Sequence, residues 1–310
     1  MDSSIFQSHE WEQFKLKTGY SKSYRVDDVL ILQRNLPLGQ AMLYSPMVSE
    51  SQENGVRSKE YLNEIKRIGK ENNAIFYRLE LNIPKMEKGG WKMENLRNFV
   101  KSFEEMQPEN NWLLDLRQSE GEILTNMKQK GRYNIKIAER NNLTVTSSSS
   151  KTSKELDTFY TQYSETGNRH KITYRGKKYF EALLEILGQS DYARTYAVWK
   201  GKTPLASAII LLYGESALYL YGGSSEQSRE LMAPYLLHWT IIKEAKEKGF
   251  SEYNFLGVAP NDDSKHDWAG ITRFKKQFGG YQEDIMGSYD LVFNPIKYKL
   301  FKIAEKIRRK

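Results

Sequence analysis

The chain has 310 residues and no cysteine, which excludes a disulfide framework, a thiolate nucleophile and any cysteine-ligated metal. Histidine is scarce: His9, His170, His238 and His266 are the full set, and none stands at a metal-ligand spacing from another. Neither an H-E-x-x-H nor a G-x-S-x-G motif occurs, so zinc-protease and serine-hydrolase chemistry lack their sequence marks. A Walker-type phosphate loop is missing as well. Long apolar runs are absent: the longest, "PLASAIILLY", is strand-sized and β-branched, well short of the roughly 20 residues that a membrane helix needs. The opening "MDSSIFQSHEW" has neither the basic nor the apolar region of a signal peptide. A cytoplasmic protein is therefore expected.

Positive charge and aromatic side chains are what the chain has in quantity. Its 47 Lys and Arg against 39 Asp and Glu give a net charge of +8 and a pI near 9.2. This permits a polyanionic partner such as tRNA, a nucleotide diphosphate or an anionic membrane face, and it fits a basic surface kept for solubility equally well. The 20 tyrosines and 6 tryptophans suit a folded core, and low complexity is confined to "SSSSKTS" at Ser147–Ser153. The length accommodates one large domain or two ordinary ones.

Along the chain, Ser8 to Gly19 predicts a short amphipathic helix, with Ser8 as cap, Trp11 and Phe14 on one face and Gly19 at its end. "DDVLILQRNL", "AMLYSPMV" and "AIFYRLELN" predict strands, and Tyr61, Leu62, Ile65 and Ile68 recur at helical spacing before the third. "ENLRNFVKSF" repeats Leu96, Phe99, Val100 and Phe103 at helical spacing. "NWLLDL" is strand-like, and Ser119 with Glu122 forms a capping box opening a helix. The polar stretch Leu143–Ser153 is the expected domain boundary. Beyond it, Leu156, Phe159, Tyr160 and Tyr163 share a helix face, and "KKYFEALLEIL" is a further helix. "YARTYAVW" and "PLASAIILLY" flank the turn "KGKT" as a hairpin. "SALYLYGG", a helix bracketed by Pro234 and Gly249, and the strand "EYNFLG" follow. Two mixed α/β (α+β) halves are expected, and no internal sequence repeat is visible.

Two local features bear on chemistry before any relative is considered. "DDSKHD" at Asp262–Asp267 could suggest a metal but reads more simply as a polar surface loop. In "YLYGGSSEQSRELMAPYLL" the glycines end the strand, and none opens the helix. An acyl-CoA pyrophosphate needs closely approaching backbone N–H groups at a helix N-terminus, so this junction argues against acetyl-CoA as donor.

Five segments together resemble the Fem family of peptidoglycan-bridge aminoacyltransferases. They are "SHEWEQFK", "WLLDLRQSEGEILTNMKQKGRYNIKIAER", "RHKITYRGKKYFEALLEIL", "LYLYGGSSEQSRELMAPYLLHWTIIKEAKEKGF" and "GITRFKKQFGGYQED", in the family's order and spread over nearly the whole chain. The resemblance implies two tandem GNAT-like domains with a substrate groove between them and a C-terminal tail returning to the first. The first domain would comprise residues 1–146 with about 287–310, and the second residues 147–286. No long charged heptad pattern follows Lys154, so the compact type without a helical arm is implied.

The resemblance also assigns residues. Lys15 and Arg175 match cations that bind the diphosphate of a UDP-linked muropeptide, a pairing of ammonium and guanidinium that suits a diphosphate. Thr173 and Tyr179 match residues lining that substrate site, and Tyr221 matches a substrate-contacting tyrosine. Glu80 stands where relatives carry an acidic residue near the acceptor, with Glu replacing Asp. Without the resemblance, Lys15 reads as a solvated cation on a helix and Tyr221 as a core strand residue. Phe274 and Lys275 in "RFKKQF" match the Phe–Lys pair at the transfer site. There an ammonium would stabilise the oxyanion formed as an amine attacks the aminoacyl ester, and the phenyl ring would stack on the terminal adenine or the cation. Arg273 and Lys276 would then contact tRNA phosphates. Charge counting alone makes this stretch a basic surface turn and does not choose between adjacent lysines.

The activity so implied moves an amino acid from aminoacyl-tRNA to the side-chain amine of a peptidoglycan precursor stem peptide, carried on UDP-MurNAc-pentapeptide or on a lipid-linked muropeptide. No metal or CoA cofactor is implied, because the ester is already activated. The alternatives are a related N-acyltransferase with another amine acceptor or donor, and a non-catalytic module that binds tRNA or muropeptide. Ile296, Leu300, Ile303 and Ile307 fall near one face of the last predicted helix among lysines and arginines. Packing of this face on the first domain is expected, and a peripheral contact with the inner face of the membrane is the alternative.

Overall fold

The computed structural model describes residues 4–85, 96–170, 173–261 and 263–308. The chain forms two compact units, Met1–Glu109 with Asp284–Lys310, and Asn110–Glu283.

Unit 1 opens with α1 (His9–Lys17), whose Ser8 cap accepts from Trp11 N at 3.0 Å. Trp11 and Phe14 are buried beneath it. The strands β1 (Lys22–Val26), β2 (Val29–Leu36) and β3 (Gln40–Ser49) form an antiparallel meander. After a short helical turn, α2 (Glu53–Val56), the helix α3 (Lys59–Glu71) crosses over to β4 (Ala74–Pro84), which runs parallel to β3. Tyr61, Ile65 and Ile68 of α3 pack on Leu43, Val48, Tyr77, Leu79 and Leu81 of these strands. The β3–β4 register shifts between Ser45 and Val48, with Met47 at φ 44°. This bulge lets Val48 rejoin the face that Ala41 and Leu43 occupy before it. Phe99 and Val100, expected in a helix, instead form the short strand β5 (Phe99–Lys101). Their β-favouring side chains and an available partner strand outweigh a helical periodicity only three turns long.

Unit 2 contains β6 (Asn110–Asp115), α4 (Glu120–Asn126), α5 (Gln129–Arg140), β7 (Thr144–Ser148), α6 (Lys154–His170), α7 (Lys177–Leu187), β8 (Ala193–Lys200), β9 (Thr203–Tyr213), β10 (Ser216–Ser224), α8 (Ala233–Glu247), β11 (Glu252–Gly257) and α9 (Ala269–Lys275). Its strand order is β6-β11-β10-β9-β8-β7. The pair β10–β11, joined through α8, is parallel, and the other pairs are antiparallel. The capping box of Ser119 and Glu122 opens α4. The serine-rich stretch lies inside this unit, and the first boundary falls at Glu109/Asn110 instead of after residue 146. The reason is packing: Leu114, Leu116, Ile123, Met127, Ile135 and Ala138 share one core with Trp239, Ile242 and Phe255.

The chain then re-enters unit 1 through β12 (Tyr281–Val292) and α10 (Pro295–Arg308). β12 pairs antiparallel with both β4 and β5, so the C-terminal segment returns to the first unit. Arg78 on β4 is fully buried and forms a two-point ion pair with Asp290 on β12, at 2.7 Å and 2.9 Å. Glu104 takes its remaining terminal nitrogen, and Tyr298 on α10 donates to Asp290 Oδ2 at 2.6 Å.

Both units therefore follow one plan, expected of tandem GNAT-like domains. An antiparallel meander ends in a bulged strand, and a helix carries the chain to a parallel neighbour. In unit 2 the bulge lies between Tyr219 and Tyr221 and turns the two tyrosines to opposite faces. Tyr219 meets His238 of α8 at 4.6 Å, whereas Tyr221 meets Tyr163 of α6 and Phe180 of α7 at 5.7 Å and 5.2 Å.

Candidate active site

Lys275 ends α9 and is only 5% exposed. Its Nζ donates to the Gly257 carbonyl at 2.6 Å and lies 5.8 Å from the centre of the Tyr219 ring. Local backbone geometry aims that carbonyl: Leu256 adopts φ 56°, its N–H donating to Asn254 Oδ1 at 2.7 Å, where the β11 register shifts. Thr272 fixes α9 to the same stretch by accepting from Ala259 N at 2.9 Å. Among the described residues no carboxylate pairs with Lys275, and burial alone lowers its pKa from 10.5 to about 7. A poorly hydrated amine with spare N–H donors is suited to a developing oxyanion.

Aromatic rings build the wall behind it. Phe274 contacts Tyr235, His238 and Phe278 at 5.1, 5.4 and 5.4 Å. It is partly buried in the unit 2 core. His238 shares a hydrogen bond of 2.8 Å with Tyr253. Burial first, and the nearby Lys275 charge second, lower its pKa to about 3, so it is a neutral member of the wall. The Tyr219 hydroxyl occupies the space that a side chain on Gly222 would need, as a Cβ there would sit 2.0 Å from it. Tyr219, His238 and the Gly257 carbonyl were not singled out as site groups from sequence. A strand bulge and a turned carbonyl leave no residue pattern that would reveal them.

A second cluster in unit 2 gathers Arg175, Tyr179 and Tyr221. The Arg175 guanidinium lies 5.0 Å from the centre of the Tyr179 ring. Burial first, and the neighbouring Tyr179 hydroxyl second, push the Tyr221 pKa up. Thr173 is exposed on the segment before α7, and residues 171 and 172 lie outside the described residues. Tyr174 seats this segment on α6, where a Cβ on Gly167 would come within 2.5 Å of its ring.

Unit 1 links Lys15 to Glu80. Lys15 Nζ lies over Tyr20, Trp11 and Phe14 at 5.1, 5.5 and 5.7 Å. Tyr20 stacks on Tyr44, whose hydroxyl donates to Glu80. Glu80 is 0% exposed and also accepts from Gln107 N at 2.7 Å. Burial raises its pKa against the opposing effect of these bonds. The expected acceptor contact by Glu80 does not fit this placement, because its oxygens are taken up inside the unit.

Arg273 is exposed, and Lys276 lies 5.2 Å from the centre of the Trp112 ring. Next to their segment, α5 begins where Lys128 N donates to Gln277 O at 3.0 Å. There Gly131 allows close approach, since a Cβ would meet Gln277 O at 2.5 Å. On α5 an open depression of about 420 Å³ is lined by Gln129, Lys130, Arg132, Tyr133 and Lys136. Among the described residues no group of His, Asp or Glu is arranged to hold a metal. Asp263, Ser264, Lys265 and Asp267 are exposed, and Asp262 lies outside the described residues. Among the described residues, too, no helix is long and apolar enough to cross a membrane.

Comparison with known proteins bears on the fold and the family. The solved FemX structure superposes with a TM-score of 0.81 at 20% identity, over 96% of this chain and 94% of that one. Aminoacyltransferase FemB of Staphylococcus epidermidis is 33% identical over 106 residues, 34% of this chain and 25% of that protein. Lipid II:glycine glycyltransferase of Staphylococcus aureus is 25% identical over 181 residues, 52% of this chain and 43% of that protein. The aligned stretches thus span less than half the length of these two relatives. The FemAB family model matches residues 81–195 and 193–306, more than half of the sequence, and the chain belongs to the FemAB family.

Proposed function

We propose that the protein transfers an amino acid from aminoacyl-tRNA to the side-chain amine of a peptidoglycan precursor stem peptide. The observation that carries this reading is Lys275, a buried amine with no carboxylate partner among the described residues, at the end of a helix in a FemAB-family chain. The acceptor amine attacks the ester carbonyl carbon. The C–N bond forms, the ester C–O bond breaks, and the tRNA 3′-terminal hydroxyl leaves with a proton. Lys275 donates to the carbonyl oxygen as its charge develops, and Phe274 packs beside the tRNA end. Arg175, Tyr179, Tyr221 and Thr173 hold the acceptor, Arg175 and Lys15 serving its diphosphate. Names of the relatives support the class: one is an aminoacyltransferase and another a glycyltransferase acting on lipid II.

Incubation with a pool of labelled aminoacyl-tRNAs and either UDP-linked or lipid-linked muropeptide tests the reading. An acceptor heavier by one amino-acid residue in an amide linkage is expected by mass analysis. Tight binding of both substrates without any such product would favour a binding module instead.

The α5 depression offers the tRNA a second contact beyond Arg273 and Lys276. Lys130 and Lys136 are exposed there beside Tyr133, which is 60% exposed. Replacing Lys130 and Lys136 together by glutamate is expected to raise the KM for charged tRNA by about 10-fold or more, with kcat nearly unchanged. The salt dependence of tRNA binding would lose a slope of about 2. Filter binding over a salt series would reveal this, and an unchanged slope would remove α5 from the tRNA footprint.

A further inference from the structure

The helix α10 has two apolar faces, and only one is used by the fold. Tyr298 is buried and bonded to Asp290, and Phe301 packs on Phe76 and Phe103 at 5.3 Å and 6.1 Å. Lys302 lies over Phe103 and Tyr298, at 5.6 Å from each ring. These contacts hold the helix to unit 1. The other face presents Ile296, Leu300, Ile303 and Ile307, which are 75%, 61%, 49% and 68% exposed. The expected packing of this stripe on the first domain is therefore not what the fold does. At 100° per residue, Lys299 and Lys306 flank the stripe on one side, and Lys297 and Arg308 on the other. The helix carries five cations against the single acid Glu305, which pairs with Arg308 at 2.6 Å and turns inward.

We propose that this face of α10 docks on an anionic lipid surface, lying in the interface plane with the four aliphatic side chains among the acyl chains and the flanking cations at the headgroups. An aliphatic stripe between two rows of cations matches that boundary, apolar below and negatively charged above. RNA would match the cations but leave the aliphatic side chains without a partner. A second copy paired about a two-fold axis would set these cations against their own kind. The inference concerns where the protein works and requires neither the donor nor the acceptor of the transfer reaction.

Co-sedimentation of the full chain with vesicles tests it, using phosphatidylcholine alone and phosphatidylcholine with an equal amount of phosphatidylglycerol. Binding to the second but not the first is expected. Leu300→Asn with Ile303→Asn should weaken it by at least about 10-fold, and Lys299→Gln or Lys306→Gln by about 5-fold each. Because these side chains are exposed, circular dichroism should show all variants folded. Wild-type protein that stays in solution with anionic vesicles, or a Leu300/Ile303 variant that binds them equally well, would overturn the proposal. So would a concentration-dependent dimer that the same double substitution abolishes, which would assign the face to a second copy.

Discussion

Lys275→Met should reduce transfer by about 10²–10³-fold and, at the same time, raise the melting temperature of unit 2. The loss of rate follows if the amine stabilises the oxyanion, since methionine has similar reach and no donor. The gain in stability follows from burial. In the unfolded chain the lysine keeps its proton up to a pH near 10.5, and in the fold it releases it near 7. Unfolding therefore takes up a proton between these values, and the Lys275 contribution to stability rises with pH across that window and is least favourable below it. At pH 7 the penalty amounts to about 4–5 kcal/mol. Against it stands the hydrogen bond to Gly257, whose carbonyl would be left unsatisfied at about 1–3 kcal/mol. A net gain of about 2 kcal/mol corresponds to roughly 4–8 °C in a domain of this size. Single-turnover transfer and thermal melts at pH 7 and pH 10 check both halves, with the stability advantage shrinking at the higher pH. Wild-type-like turnover would remove Lys275 from the mechanism. A melting temperature that drops at pH 7 would mean that the Gly257 bond outweighs burial. His238 adds a lever of the same sign at lower pH: it stays neutral to about 3 in the fold but protonates near 6.5 when unfolded. Unit 2 therefore loses stability progressively as pH falls through that interval.

Asp290→Ala is expected to destabilise unit 1 by about 3–5 kcal/mol. It would leave the Arg78 guanidinium, 0% exposed, with Glu104 as its remaining carboxylate. It would also remove the acceptor of the Tyr298 hydroxyl. The two-point geometry at 2.7 Å and 2.9 Å is what compensates the burial of the cation. Breaking a buried pair from one side is far costlier than replacing both partners. Arg78→Met with Asp290→Leu and Glu104→Leu, which removes both carboxylates together with the cation, should therefore recover much of the lost stability. Urea titrations of the three proteins measure the difference, and a loss below about 1 kcal/mol for Asp290→Ala would show that the network contributes little.

Most helices and strands were legible because periodicity and caps agree: the Ser8 and Ser119 caps, the α3 stripe and the β8–β9 hairpin all read directly from residues. The failures have specific causes. Leu96, Phe99, Val100 and Phe103 satisfy a helical spacing, yet Phe99–Lys101 found a partner in β12, and pairing with a distant strand is invisible to a local window. The serine-rich stretch imitates a linker because β7 is an edge strand with polar side chains. On α10, periodicity offers two apolar faces and does not rank them. The aromatic face was selected because Tyr298 reaches Asp290 and Phe301 reaches Phe76. At the site, the resemblance distinguishes Lys275 from Lys276, but the physical difference is one of environment. One is buried on the Gly257 carbonyl and the other lies against the face of Trp112. Glu80 was chosen as a substrate group by position, and its burial among Tyr44 and Gln107 depends on contacts that span three segments of chain.

The division of the chain has a consequence for its birth. Unit 2 is one uninterrupted segment, whereas unit 1 is assembled from residues before Asn110 and after Glu283. On the ribosome, β4 is finished roughly two hundred residues before β12 supplies Asp290. At about 5–20 residues per second, Arg78 and the open edge of β4 wait ten seconds or more for their partners. Unit 2 can complete its core in that interval, so the second unit in sequence is the first able to become native. A nascent chain stalled before Asp290 emerges should resist protease in its middle while its N-terminal third remains cleavable.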